Sequence, residues 1–361
     1  MHRLPRRTAP RGMTLLELMF VVAISAVVVT AITKTLIDLT RTSRVRDLNV
    51  QMQGEGRDAL KVVERDLRQG SLGATQGVIW TQDSLGNVVR RPAVQILDNV
   101  TGGGGIDAKP GTDALLLVGA APLGGRAAAQ GDHYDSTQSL AVTETDRFQV
   151  GNGMLAGSYQ QAAWSRITLI VDAVAGAPGA LNLSSTQNVY PSGKLPKGAM
   201  VRAARARLYY VDVLDELVQL ELLVPRVPAS NAEISGRSVI ARGFENLQID
   251  CETDNGAVGA CPGAQPGAPA AAEALWAFGA WNGGGARMDE GNISTLRSVV
   301  LMVVLRSGGP MIEQSGDPPI ALGNQAALLP GLPPGGDRAQ PYLRRAYRLP
   351  VAVRNVSLGA M

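Results

Sequence analysis

Glu17 is an acidic residue within a long apolar run, where its carboxylate has to be neutralised. From Thr14 to Thr33 the chain runs for 20 residues without any other charged side chain, and the run is rich in Val and Ile. A carboxylate inside such an apolar span costs a few kcal/mol unless it is neutralised or paired with a cation. Secretory signal peptides and plain membrane anchors usually lack an acid at this place, so Glu17 indicates a more specialised segment.

The sequence contains few residues that could bind a metal ion or form a hydrolytic active site. The chain contains two histidines, His2 and His133, which excludes a His-rich metal site and leaves one body histidine for any Ser-His-Asp triad. Asp250, Glu252 and Asp254 place acids at alternate positions and are weak metal candidates. Their spacing departs from a calcium loop, so a solvated acidic turn is the favoured interpretation. We expect no metal and no cofactor.

The charge of the chain is divided unevenly between its N-terminus and the rest. The formal net charge is +3, and residues 1–12 contribute +4 because they contain four arginines and no acid, which leaves −1 for the remaining residues. The basic isoelectric point is therefore no evidence that the body binds nucleic acid. Arg202, Arg205 and Arg207 form a local basic patch, and alternation along a strand puts Arg205 and Arg207 on one face, which we interpret as solvated.

A long helix is predicted to hold the apolar run. No Gly or Pro occurs between Met13 and Gln53. Beyond the apolar run, hydrophobic or small residues recur in steps of three or four at Val45, Leu48, Met52, Gly56, Ala59, Val63 and Leu67. This spacing predicts one helix from Thr14 to Gln69, with its first half in a membrane or filament and its second half packed by the stripe on the body.

Residues 11–19, Arg-Gly-Met-Thr-Leu-Leu-Glu-Leu-Met, resemble the cleavage and methylation motif of type IV prepilins. In that family a short basic leader ends in Gly, a membrane peptidase cuts after this Gly, and the new N-terminal residue is N-methylated. The resemblance implies cleavage between Gly12 and Met13, methylation of Met13, and Glu17 as the fifth mature residue. Met13 departs from the family's usual Phe.

The same resemblance implies a role for Glu17. In the family, the Glu at the fifth mature position meets the N-terminal amine of a neighbouring subunit, so that two opposite charges neutralise each other inside an apolar filament core. Glu17 is thus expected to be an assembly residue, and no catalytic residue is expected in the chain. The absence of Pro from the first half of the helix favours a minor pilin or pseudopilin over a major pilin.

After Gly70 the sequence changes to short β-branched or Leu-rich runs between turns, which predict a mainly antiparallel β body. The expected strands are residues 94–97, 114–118, 167–171, 207–213, 218–224, 239–240, 247–250, 297–305 and 347–354. Residues 99–112, 254–292 and 307–346 are expected to be loops. A soft boundary is expected near residues 175–200, where Gly, Pro, Ser and Asn accumulate.

Several body segments resemble the PilW family of minor pilins, which is related to the J-type pseudopilin of type II secretion. In chain order they are ERDLRQG, GTDALLLVG, ARLYYVD, RGFENLQID, LRSVVLMVVLRS and YRLPVAVRN. The resemblance places the body in the oxidising periplasm, and a disulfide between Cys251 and Cys261 is the favoured interpretation there. Two free thiols are the alternative, and two cysteines without a nearby His supply too few ligands for structural zinc.

The predicted fold class is α+β, of the type IV pilin kind. A long N-terminal helix, transmembrane in one half and amphipathic in the other, is expected to pack on a large, mainly antiparallel β head. The expected segments are a leader at residues 1–12, a transmembrane or filament-core helix at 13–37, an amphipathic helix at 38–70 and a head at 71–361.

The resemblance implies a minor pilin in the complex that primes the pilus tip and supports motility, adhesion or DNA uptake. The expected partners are other minor pilins, the major pilin, a tip adhesin, the inner-membrane assembly platform and the prepilin peptidase. The chain is expected in the inner membrane with its head in the periplasm, then at the pilus tip, with no nucleic acid on the head. The alternatives are a J-type pseudopilin and, more remotely, a secreted β-rich protein whose signal peptide is cleaved near Ala31.

Overall fold

The computed structural model consists of two compact units, Met1–Gln51 and Met52–Met361. The structure describes residues 15–70, 72, 74, 77–82, 87–100, 106–133, 139–157, 162–172, 179–183, 190, 194–253, 258–260, 296–306 and 344–352. The fold class is α+β, as predicted, with one long N-terminal helix and a large, mostly antiparallel β head.

The helix α1 extends from Leu15 to Gln69 over 55 residues, which confirms the predicted helix. Its continuity follows from a long stretch of sequence without helix breakers. It ends at Gly70, whose N–H donates to the Leu67 carbonyl at 3.1 Å, a short turn that satisfies one of the last carbonyls.

The second half of α1 packs on the head through the predicted stripe. Met52, Ala59, Val63 and Leu67 are all at most 4% exposed, and Gly56 between them is buried as well. Burying such side chains contributes roughly 1.5–3 kcal/mol each for the larger ones, so this half of α1 is held by tertiary packing.

The first sheet has twelve described strands. They are β1 (Val78–Gln82), β2 (Val88–Pro92), β3 (Val94–Val100), β4 (Thr112–Ala120), β5 (Arg126–Ala128), β6 (Leu140–Val142), β7 (Gly153–Gly157), β8 (Ala162–Val171), β9 (Gly179–Leu183), β10 (Met200–Val211), β11 (Glu216–Leu222) and β12 (Ile234–Arg242). Seven of these strands are hydrogen-bonded neighbours in the order β12-β11-β10-β7-β8-β1-β2. The other five attach to this series: β4 and β5 pair with β10, β3 pairs with β4, β9 pairs with β8, and β6 pairs with β9. Among the described strands only β1 and β8 run parallel, where Trp80 lies opposite Ala163.

β10 is the strand with the most partners in this sheet. It pairs with β7 and β11 along one edge and with β5 and β4 along the other, antiparallel in every case. Arg207 lies opposite Leu117 of β4 and Glu221 of β11, and Tyr209 lies opposite Leu115. Residues that lie opposite each other share a face of the sheet, so Arg207 and Tyr209 stand on one face in two neighbouring rows.

The second sheet has four described strands in the order β14-β13-β15-β16. They are β13 (Phe244–Thr253), β14 (Val258–Ala260), β15 (Leu296–Arg306) and β16 (Arg344–Ala352). The turn after β10 joins the two sheets, because Asp215 pairs with Lys109 at 2.5 Å and with Arg306 at 2.9 Å. Lys109 also donates to the Glu245 carbonyl at 2.8 Å. One apolar core continues from the second half of α1 through both sheets.

All nine expected strands are present, most of them longer than predicted, but seven strands were missed: β1, β2, β5, β6, β7, β9 and β14. The missed strands are at most five residues long, and all of them except β1 and β6 contain Gly, Pro or Arg. In β7, Gly153 is needed because a side chain there would overlap the buried ring of Trp164. The loop predictions are wrong in part, because 99–112 overlaps the ends of β3 and β4, 254–292 contains β14, and 307–346 overlaps the start of β16.

Candidate processing and assembly segment

Glu17 lies in the first turn of α1. The positive end of the helix dipole is at this terminus, so a carboxylate is favourable here. The side chain of Glu17 is exposed. Gly12 and Met13, the predicted cleavage pair, lie outside the described residues, and the predicted cleavage therefore stays a prediction.

The surface of α1 that follows Glu17 is almost entirely apolar. It contains a window of 18 residues with a mean hydropathy of 2.6, and none of this window is buried. The exposed apolar side chains of the first half are Leu15, Leu16, Leu18, Met19, Phe20, Val21, Val22, Ile24, Val27, Val28, Val29, Ile32, Leu36, Ile37 and Leu39. By length and composition the helix can cross a membrane.

Most of the threonine hydroxyl groups in this half are satisfied by the helix itself. Five threonines donate to the backbone carbonyl four residues earlier, at 2.7–2.9 Å: Thr30, Thr33, Thr35, Thr40 and Thr42. An unsatisfied hydroxyl would be costly away from water, and these internal bonds remove that penalty. These five threonine hydroxyls are therefore compatible with an apolar environment.

A family model described as the prokaryotic N-terminal methylation motif matches residues 7–33. The match covers the second half of the basic leader, Glu17 and the apolar run as far as Thr33. It indicates a type IV prepilin-like protein. No curated protein and no solved structure matches the chain. The motif supports a type IV pilin or pseudopilin that is anchored in a membrane by α1.

Asp66 holds the end of α1 of this prepilin-like chain on the β head. Its side chain is 5% exposed, and its carboxylate accepts hydrogen bonds from the Arg207 guanidinium and from the Tyr209 hydroxyl. Arg65 adds a longer contact to the same carboxylate, with Nε at 3.4 Å. Because Arg207 and Tyr209 stand on one face of β10, a single carboxylate on the last turns of the helix can bind both.

This cluster changes the protonation chemistry of its members. Burial, followed by the Asp66 carboxylate, raises the pKa of Tyr209 far above its ordinary value, so the phenol stays neutral and donates its proton. Burial by itself lowers the pKa of Arg207, but Asp66, Tyr209 and Glu221 act in the opposite direction, and the net direction is upward. The cluster is thus a fixed ion pair with a neutral phenol beside it.

The interpretation of Arg205 and Arg207 as a solvated sheet face is wrong for Arg207. The two side chains do share a face of β10, as alternation requires, but Arg207 is only 20% exposed because α1 covers it. Arg205 is 48% exposed and lies 3.6 Å from Glu221. The missed signal was Asp66 itself, a carboxylate three residues after Val63 on the buried stripe, where an acid requires a buried cation.

Gly56 allows close approach between α1 and the second sheet. A side chain at this position would overlap Cδ1 of Leu305 on β15, which is 2% exposed, and would also contact the ring of Tyr347. Gly54, two residues earlier, has open space around it, and a methyl group there would meet no atom within 4 Å. Gly56 is therefore a packing residue, in agreement with its place on the predicted stripe.

Cys251 lies buried on β13, at 2% exposure. Cys261 lies outside the described residues, so its pairing with Cys251 stays a prediction. Gly259 of β14 lies directly opposite Cys251, which shows that the hairpin returns the chain beside this cysteine two residues before Cys261.

The acidic candidates do not converge on one site in the described part of the chain. Asp250 is buried at 5% exposure, whereas the Glu252 carboxylate accepts a hydrogen bond from the Ser298 hydroxyl at 2.6 Å. Asp254 lies outside the described residues. Among the residues that the structure describes, no group of three or more His, Cys, Asp or Glu side chains could hold a metal ion.

Proposed function

We propose that this chain is a minor pilin of a type IV pilus, of the PilW type. The observation that carries the proposal is the match of residues 7–33 to the methylation motif, continued by an exposed apolar helix with Glu17 in its first turn. The chain is trimmed between Gly12 and Met13 by prepilin peptidase, and Met13 is N-methylated. Its role is structural, and it is the substrate of the processing enzyme.

Glu17 pairs with the N-terminal amine of a neighbouring subunit during assembly. The apolar surface on both sides of Glu17 supports this role, because a carboxylate there is costly in a membrane or filament core. A free amine at Met13 of the neighbouring subunit would be the cation that removes the penalty. Five Thr hydroxyls of this half bond within the helix and therefore leave no unsatisfied donor in an apolar filament core.

The head acts at the pilus tip. There it joins other minor pilins, the major pilin and a tip adhesin, after the inner-membrane assembly platform has extracted the chain from the membrane. The lack of Pro between Met13 and Gln53 supports a minor subunit over the major one. In this location the head passes through the oxidising periplasm, where Cys251 and Cys261 form a disulfide.

The mass of the N-terminal peptide tests the processing step. The full chain is produced with and without a prepilin peptidase, recovered from membranes, and digested. We expect a peptide that begins at Met13 and carries one methyl group, only when the peptidase is present. Gly12→Glu should leave the chain uncut. A peptide that begins near Ala31 would contradict the proposal, because it would show an ordinary signal peptide.

The location of the mature chain tests the pilus assignment. Filaments sheared from the cell surface should contain the chain, and Glu17→Gln should leave it in the membrane while Glu55→Gln, an exposed acid on the same helix, should not. A chain that is processed but stays in the cell envelope, and whose loss stops protein secretion, would show a J-type pseudopilin instead.

A further inference from the structure

A pocket of about 520 Å³ lies between the end of α1 and the first sheet. Its walls come from the last turns of α1, the turn at residues 121–124, the segment at residues 147–152 and the middle of β10. All of these belong to the unit Met52–Met361. The N-terminal segment contributes nothing to it, so an inference about this pocket stands independently of the proposed function.

The lining of the pocket is strongly basic. Four arginines line it, Arg65, Arg147, Arg205 and Arg207, and Asp66 is the only acid among the lining residues. Asp66 already binds Arg207, which leaves three arginines in excess. A concave surface with side chains of one charge focuses the electrostatic field and attracts ligands of the opposite charge.

Arg147 has a backbone conformation that arginine rarely adopts. Its φ is +65°, and it is the third residue of a turn closed by a hydrogen bond of 3.2 Å from the Phe148 N–H to the Thr145 carbonyl. Turns with a positive φ at this place favour Gly or Asn. The buried ring of Phe148 and a hydrogen bond of 3.1 Å from the Gly125 N–H to the Arg147 carbonyl hold the turn.

The side chain of Arg147 forms no ion pair with the residues that the structure describes. The other described non-glycine residue with a positive φ is Asp215, which forms ion pairs with Lys109 and Arg306. Arg147 is exposed and forms no ion pair with any described residue. Residues in uncommon backbone conformations cluster at binding sites, so the exposed side chain of Arg147 indicates a ligand from outside.

Arg65 and Arg205 retain donors for such a ligand. The side chain of Arg65 is 64% exposed, and its contact with Asp66 uses Nε at 3.4 Å. Arg205 is 48% exposed and contacts Glu221 through Nε at 3.6 Å. Each guanidinium has five N–H donors, and these contacts use only the Nε donor. The two terminal NH2 groups of each arginine therefore remain able to bind a carboxylate through two hydrogen bonds.

The shape of the pocket favours a protein segment over a small molecule. Sites for small molecules are mostly apolar and bury most of the ligand, whereas this pocket is lined by exposed guanidinium groups. Leu123 at its edge is 85% exposed, and a free inorganic anion would leave this side chain in water. An acidic segment with an apolar residue between its carboxylates would use the arginines and cover Leu123.

We propose that this pocket binds an acidic peptide segment of a partner protein, through carboxylates on Arg65, Arg147 and Arg205 and an apolar side chain on Leu123. Gln69, at the negative end of the α1 dipole, also lines the pocket and disfavours a single anion there, so a segment with at least two carboxylates, which contacts several arginines at once, is required.

Peptide binding to the full chain in detergent tests this proposal. The probe is a fluorescent peptide Gly-Glu-Leu-Glu-Gly, followed by anisotropy, and the matched control peptide has Gln in place of both Glu residues. Arg205→Gln and Arg147→Gly should each weaken binding about tenfold, since each removes charge-assisted hydrogen bonds. Arg348→Gln on the exposed surface of β16 should leave binding unchanged.

The Arg147→Gly variant separates binding from folding. Glycine fits the positive φ better than arginine, so the urea midpoint of this variant should equal or exceed that of the parent chain while its affinity falls. Equal binding of the Glu and Gln peptides would overturn the proposal, as would full affinity of both arginine variants. Arginine-dependent binding of inorganic phosphate without binding of the Glu peptide would also overturn it.

Leu123→Ser adds a readout specific for a peptide. We expect several-fold weaker binding of the Glu peptide, because its Leu side chain loses an apolar contact. Unchanged peptide affinity in this variant would contradict the proposed contact with Leu123.

Discussion

Replacing Asp66 by Asn removes the charge that holds α1 on β10 while it preserves the shape of the side chain. The Tyr209 hydroxyl can still donate to the Asn oxygen, but the Arg207 guanidinium loses its carboxylate. Arg207 is 20% exposed, and the nearest remaining acid is Glu221 at 3.9 Å. The variant therefore leaves a mostly buried cation with one weak partner.

The expected loss of stability follows from this geometry. Removing one partner of a buried ion pair destabilises a protein by about 3–5 kcal/mol. Because one fifth of the Arg207 side chain remains in contact with water and Glu221 is close, we expect the lower part of this range or slightly less, about 2–3 kcal/mol. The contact of Arg65 is mostly exposed and contributes little.

Urea unfolding of the full chain in detergent, followed by Trp fluorescence, measures this loss. Trp80 and Trp164 both lie in the head and report on its unfolding. Asp66→Asn, Arg207→Met and the double variant form a cycle, and the double variant should recover about 1 kcal/mol or more relative to the sum of the single losses. A loss under about 0.5 kcal/mol for Asp66→Asn, with additive single effects, would refute the reasoning.

Three further predictions concern positions in the same head. Gly54→Ala should stabilise the chain by up to about 1 kcal/mol through helix propensity, whereas Gly56→Ala should lower the urea midpoint because its methyl group overlaps Leu305. Equal effects of the two changes would contradict the assigned packing. Gly243→Ala should cost about 2 kcal/mol in the same assay, since φ is +78° and the new methyl carbon would lie 2.7 Å from a backbone carbonyl oxygen; a neutral result would be inconsistent with this strain. Because burial and a neighbouring carboxylate raise the pKa of Tyr209, the folded state holds the phenol proton more tightly than the unfolded state does. The resulting stability is complete below about pH 10 and is lost as the pH rises above it. Tyr209→Phe should make this alkaline loss shallower in midpoints measured up to about pH 11, and an unchanged slope would contradict the assigned cause.

Features that depend on periodicity and composition were predictable from the sequence. The helix α1 and its buried stripe follow from spacing and from the lack of breakers, and the strands β4, β10 and β15 follow from long apolar runs. The membrane-compatible first half of α1 follows from the same run that surrounds Glu17.

Features that depend on contacts between distant residues could not be predicted in this way. Asp66 and Arg207 are 141 positions apart, and nothing local reveals that they meet. The close approach of Leu305 to Gly56 cannot be read from the sequence, and neither can the Trp164 ring that requires a glycine at position 153 of β7. Arg147 looks like an ordinary loop residue because backbone angles are not visible in the sequence.

The central place of β10 has a consequence for the kinetics of folding. It forms a local hairpin with β11, but its other partners come from residues 112–128 and 153–157, so three of its four pairings span long chain separations. Closing such long loops must precede the gain from pairing, which slows folding. Before residues 200–211 have been synthesised, the head lacks β10, the strand with which four other strands pair. We therefore expect the pairings of β10 to form late and cooperatively, after residues 200–211 have emerged, whereas the pairs β1–β2, β3–β4 and β7–β8 need no later residues.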